Sequence, residues 1–188
     1  MIKMNRREFF RFAGNTIIGA SLPPELLMAE PNPAESPKTS ERTIRFPNYP
    51  DPNDAFGLIS VYEGKYNSND EYLTAANGIV KIPPGKNVLL YVSRNVTSLS
   101  PLKDIKADDI QAISLQSCNS LPPEEFKKLA KLTGLKWLDL WFLKNKNLSF
   151  IEQIPNLEYL ILHSSPSNKQ LSPLRNLTLD RLDIDLSL

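Results

Sequence analysis

Few side chains in this chain of 188 residues could take part in covalent or metal chemistry. There is one histidine, His163, and one cysteine, Cys118. A zinc centre built from several imidazole and thiolate ligands is therefore out of reach, and so is an internal disulfide. The densest acidic group is Asp180, Asp183 and Asp185. Clustered carboxylates of that kind could act as general acid and base in a hydrolase. Their spacing follows the alternation of a strand, however, which favours a surface edge over a paired site. His163 could become a base only if a carboxylate oriented it, and Asp185 is the acid that the pattern brings nearest. No Ser/His/Asp ordering and no glycine-rich phosphate loop accompanies it. The expectation is a protein without catalysis, cofactor or metal.

The elements that must carry these residues repeat. Four segments align: Ile110-Gln-Ala-Ile113-Ser-Leu115, Leu135-Lys-Trp-Leu138-Asp-Leu140, Leu157-Glu-Tyr-Leu160-Ile-Leu162 and Leu179-Asp-Arg-Leu182-Asp-Ile184. Each is apolar at its first, fourth and sixth places, and the first places lie 25, 22 and 22 residues apart. Asn87-Val-Leu-Leu90-Tyr-Val92 is a weaker copy. Between copies, Leu99-Ser-Pro-Leu102-x-x-Ile105, Leu148-Ser-Phe-Ile151-x-x-Ile154 and Leu171-Ser-Pro-Leu174-x-x-Leu177 share apolar residues three apart, which suits a 3₁₀ turn or one turn of α-helix. The longer 110–135 unit holds Pro122-Pro123-Glu124-Glu125 followed by Phe126, Leu129 and Leu132. That reads as an amphipathic helix with acids in its first turn, lysines toward its end and Gly134 as its stop.

The pattern L-x-x-L-x-L-x-x-N/C resembles the leucine-rich-repeat family over residues 87–188, in about five copies. Asn95 and Cys118 stand at the Asn/Cys place of the first two, and Leu143, Ser165 and Ser187 replace it in the last three. The resemblance implies an α/β solenoid, a short horseshoe arc with parallel strands on the concave face and short helical turns on the convex face. In such an array Cys118 is a small buried packing residue. A six-residue strand cannot bury its own leucines, so neighbours must share one core and the ends need caps. Residues 55–86 are the expected N-terminal cap, with strands at Leu58–Tyr62 and Gly78–Ile82 and a polar loop from Gly64 to Asp70. No C-terminal cap is visible in Leu182 to Leu188, so the expectation is that this end packs on another molecule or that the natural array is longer.

With the fourth and sixth residues inward, the third, fifth and seventh face outward. Stacking aligns Leu89, Ala112, Trp137, Tyr159 and Arg181 in one column. Tyr91, Ser114, Asp139, Ile161 and Asp183 form a second, and Ser93, Gln116, Trp141, His163 and Asp185 a third. Large aromatics on an outward face are what protein-binding hot spots use. Tyr91, Trp137, Asp139, Trp141, Tyr159, His163, Arg181 and Asp183 are the candidate partner-binding residues; the alternative is that the aromatics pack under a loop.

The N-terminus reads as an address. Arg6-Arg7 with Phe9 and Phe10 close behind, a weakly apolar Phe12 to Leu22 and a small-residue end near Ala29 resemble a bacterial twin-arginine export signal. Residues 30–54, rich in Pro, Ser, Asn and Glu, read as a disordered linker. With 22 basic against 21 acidic residues there is no reason to expect nucleic acid as a partner, and the membrane is met only through the signal. The expectation is an exported, periplasmic or secreted module that meets the twin-arginine translocase and then binds a protein. The alternatives are membrane tethering by an uncleaved signal, an envelope-acting hydrolase or its accessory domain, and a cytoplasmic adaptor with an intact N-terminus.

Overall fold

The computed structural model describes residues 2–4, 40–51, 54–66, 70–142, 147–163 and 171–185, with backbone alone at 2–4 and 185. The signal residues Arg6, Arg7, Phe9 and Phe10 lie outside the described residues, as do Leu143, Ser165 and Ser187. The strands are β1 (Ile2–Met4), β2 (Arg42–Arg45), β3 (Gly57–Tyr62), β4 (Glu71–Ala75), β5 (Ile79–Ile82), β6 (Asn87–Val92), β7 (Ala112–Leu115), β8 (Trp137–Trp141), β9 (Tyr159–His163) and β10 (Arg181–Asp185).

Each repeated segment becomes one strand of a mixed, mostly parallel sheet. From residue 57 onward seven strands pair in the order β4-β3-β6-β7-β8-β9-β10, and β1 lies antiparallel against β10. Strands β6 to β10 are mutually parallel, whereas β3 runs antiparallel between β4 and β6. The register follows the repeat: Leu90, Ile113, Leu138, Leu160 and Leu182 are lateral partners in turn. These fourth-place residues and the sixth-place Val92, Leu115, Leu140, Leu162 and Ile184 are all buried in one continuous core. At about 4.8 Å between strands, each leucine packs on its copy in the next strand.

The crossovers are short 3₁₀ helices at Ser100–Asp104, Cys118–Ser120, Pro123–Lys131, Leu148–Gln153 and Ser172–Asn176. Leu102, Leu148, Ile151 and Leu174 point from them into the core. The arrangement is α/β in the broad sense, with a 3₁₀ helical part. Cys118 is fully buried, as its place in the repeat implies. The helix after Pro122 differs from the expected form. Its apolar residues Phe126, Leu129 and Leu132 recur every third residue, which is the 3₁₀ period, and all three are buried. Gly134 is needed for close approach and not for a left-handed stop: a Cβ there would lie 2.8 Å from Asp108 Cα.

The folded part also begins earlier than the composition suggests. Arg42–Arg45 of the supposed linker pairs antiparallel with β5 as a second sheet, and Ile44 and Phe46 are buried in the main core. Two bonds between Asn77 and the backbone of Tyr49, at 2.8 and 2.9 Å, hold the following proline-rich stretch. Strand β4 was not foreseen, because Glu71-Tyr-Leu-Thr-Ala75 is an edge strand with little burial.

Candidate functional site

Two of the three side-chain columns assemble in full in the register that the repeat implies, and the third is paired only from Trp141 onward. Leu89, Ala112, Trp137, Tyr159 and Arg181 are successive lateral partners, as are Tyr91, Ser114, Asp139, Ile161 and Asp183, and Trp141 pairs with His163. Part of this face is not open to solvent. Tyr62, at the end of β3, and Tyr66, just beyond it, fold over the first half and form a small second core with Leu89, Ala112 and Trp137. The Tyr66 ring lies 4.5 Å from Trp137 and 5.1 Å from Tyr62. Tyr66 and Tyr91 both donate their hydroxyls to Asp70, at 3.2–3.3 Å. Burial pushes the Tyr91 phenol up, which keeps it neutral. Trp137 therefore packs under a loop, and it is a core residue.

Asp139 also departs from the expected surface role. Its carboxylate, 7% exposed, accepts from Ser114 Oγ at 2.9 Å and Trp141 Nε1 at 2.8 Å, and His163 Nε2 lies 3.1 Å from its other oxygen. The His163 and Trp141 rings stack at 3.6 Å. Burial pushes the Asp139 carboxyl up, against the opposing pull of these three partners. The strands set this cluster: Ser114 and Asp139 are lateral partners in the fifth column, and His163 reaches Asp139 diagonally from the seventh. Asp139 is thus a carboxylate that meets His163; the side chain of Asp185, the acid expected there, lies outside the described residues.

The order of the cluster decides its chemistry. A nucleophilic serine needs the imidazole next to it and the carboxylate behind. Here the serine bonds the carboxylate directly, so Asp139 sits between Ser114 and His163, which is not the order of that triad. Within the acidic group, Asp180 and Asp183 each take a basic partner. Asp180 meets Lys65 at 3.5 Å, and buried Asp183 meets Arg181 at 2.6 Å. Among the described residues, no three His, Cys, Asp or Glu side chains are placed to hold a metal.

Of the candidate residues, Trp137, Asp139, His163 and Asp183 are buried, Tyr91, Trp141 and Tyr159 are partly buried, and Arg181 is exposed. The open part of the face is Trp141, Tyr159, Ile161 and Arg181, with Phe142 beside it. Phe142 was not foreseen. It is exposed, 6.4 Å from Trp141 between ring centres, and adopts a left-handed φ of 56°. Bulky residues rarely hold that conformation, at a cost of about 1–2 kcal/mol.

A cleft of about 500 Å³ lies at the other end of the face, where β6 to β9 begin. Tyr62, Tyr66, Trp137 and Tyr159 line it, with Lys65, Asn87, Gln111, Lys136 and Glu158 around them. Asn87 occupies the first place of its repeat and Gln111, Lys136 and Glu158 the second, places outside the three outward columns, while Lys65 comes from the loop after β3. Comparison of the chain with known protein families, with characterised proteins and with solved structures returns no match.

Proposed function

We propose that this chain is an exported bacterial protein whose folded part is a leucine-rich-repeat solenoid and that it binds a protein partner without catalysis. The repeat spacing and the strand-by-strand register support the solenoid reading, and the twin-arginine pattern of Arg6-Arg7 with Phe9 and Phe10 supports export to the periplasm or beyond. The observation that carries the binding reading is the cluster of Trp141, Phe142, Ile161 and Arg181. Large apolar side chains stand beside one cation on a sheet face that Tyr62 and Tyr66 cover elsewhere, and among the described residues here Phe142 and Arg181 are exposed. Such anchors bury much area at low entropic cost. The strained φ of Phe142 fits the same reading, since strain of this kind collects at functional positions.

The test is capture from envelope extract by the full chain and by a Phe142→Ala/Ile161→Lys variant. Neither side chain bonds the Asp139 cluster, and the bond from Phe142 N to His163 O is a backbone bond that both substitutions keep, so the fold should survive, as circular dichroism will report. A discrete partner captured by the wild type and lost from the variant is expected. Equal capture by both contradicts the proposed surface. N-terminal sequencing of the native protein tests the export step, and an intact Met1 in the cytosol contradicts it.

A further inference from the structure

We propose that the cleft between the Glu63–Tyr66 segment and the starts of β8 and β9 binds a neutral saccharide. Its volume of about 500 Å³ falls within the ~300–1,000 Å³ of small-molecule sites. Its apolar surface is aromatic: Trp137 lies at the base with Tyr66 packed on it, and Tyr66 and Tyr159 line the cleft and are only partly buried. Its rim is charged but balanced. Lys136 Nζ lies 3.5 Å from Glu158, and Lys65 Nζ lies 3.5 Å from Asp180.

Those two facts select the ligand. Aromatic faces attract cations, but a cation entering here would meet the ammonium groups of Lys65 and Lys136. A phosphate or carboxylate would meet Glu158 and Asp180. An extended peptide would pair with free backbone donors, and those at the starts of β8 and β9 are already taken. Lys136 N and Trp137 N both donate to Gln111 O, and Glu158 N and Tyr159 N both donate to Lys136 O. A pyranose meets every condition. Its C–H face carries weak positive charge that suits the negative face of an aromatic ring. Its hydroxyls both donate and accept, so adjacent hydroxyls can bridge the Lys136 ammonium and the Glu158 carboxylate.

This site shares no variant with the protein-binding surface, so the two readings fail separately. The full chain is titrated with cellobiose, diacetylchitobiose and maltose, following tryptophan emission and saturation transfer to the sugar protons. Co-sedimentation with cellulose and with peptidoglycan sacculi then separates a soluble sugar from a polymeric source. Saturable binding of at least one saccharide, soluble or polymeric, is expected. Lys136→Ala and Glu158→Ala should each weaken it about tenfold or more, while Phe142→Ala leaves it unchanged. No saturable response to any saccharide overturns the assignment. So does unaltered binding in both cleft variants, or preferential binding of tetramethylammonium or inorganic phosphate at the cleft.

Discussion

Replacing Asp139 with alanine should destabilise the protein from within its buried polar cluster. The carboxylate satisfies Ser114 Oγ and Trp141 Nε1 and faces His163 Nε2 at 3.1 Å. Ser114 and His163 are buried, so water cannot replace the lost acceptor, whereas the partly buried Trp141 can turn its N–H outward. An orphaned buried donor costs about 1–3 kcal/mol. The Ser114 hydroxyl is one such donor; with the lost contact to His163, less the relief of removing a buried charge, the cost is about 1–3 kcal/mol, a sizeable part of the ~5–15 kcal/mol that holds a domain together. Asp139→Asn keeps an acceptor oxygen and should stay within about 1 kcal/mol of the wild type near neutrality. The pH dependence separates the two further. Because burial raises the folded-state value, the stability that Asp139 contributes is fully present below its unfolded value near ~3.9 and is lost as pH rises through the folded value. The asparagine variant should lack that loss. Urea unfolding followed by tryptophan emission reads all of this, since Trp141 lies within the cluster and Trp137 on the same strand. An alanine variant within about 0.5 kcal/mol of wild type would refute the reasoning and return Asp139 to the surface.

Glu125 should behave in the opposite sense. Burial works to raise its carboxyl, but bonds from Lys128, the Leu99 N–H and Ser98 hold it below its usual value. Its contribution is therefore present above ~4.3 and is lost as pH falls through the folded value. Glu125→Ala should cost about 1–2 kcal/mol at neutral pH and much less in acid, measured by urea midpoints. Leu160→Ala, in the middle of the buried fourth-place column, should cost about 3 kcal/mol in one cooperative transition. Gly57→Ala places a Cβ 2.0 Å from Tyr91 O and should cost about 3 kcal/mol by thermal unfolding.

The core was legible because the leucine spacing is periodic and the register follows from it. Leu138, Leu160 and Leu182 fall in one column for the same reason that they align in the sequence. The outward columns were legible as columns, but not as a surface. Alternation says which side of a strand a residue takes, and it does not say what lies on that side. Tyr62 and Tyr66 come from outside the repeats and cover Trp137, so no repeat-based argument could place them. The pairing of Asp139 with Ser114 was within reach, since both stand in the fifth column on adjacent strands. Strand β2 was hidden because the prolines around Arg42–Arg45 mask a four-residue strand whose only deeply buried member is Ile44.

The central claim is that successive repeats lie side by side in register, and disulfide trapping tests it most directly. In a Cys118→Ala background, Tyr159→Cys and Arg181→Cys fall on directly opposed positions of β9 and β10. Their Cα separation should then lie within the ~4.4–6.8 Å that a disulfide spans. The offset pair Ile161→Cys and Arg181→Cys should lie about 7–8 Å apart, as diagonal neighbours do. Rapid bridging of the first pair and slow or absent bridging of the second is expected. Bridging of the offset pair alone, or of neither, would contradict the shared register.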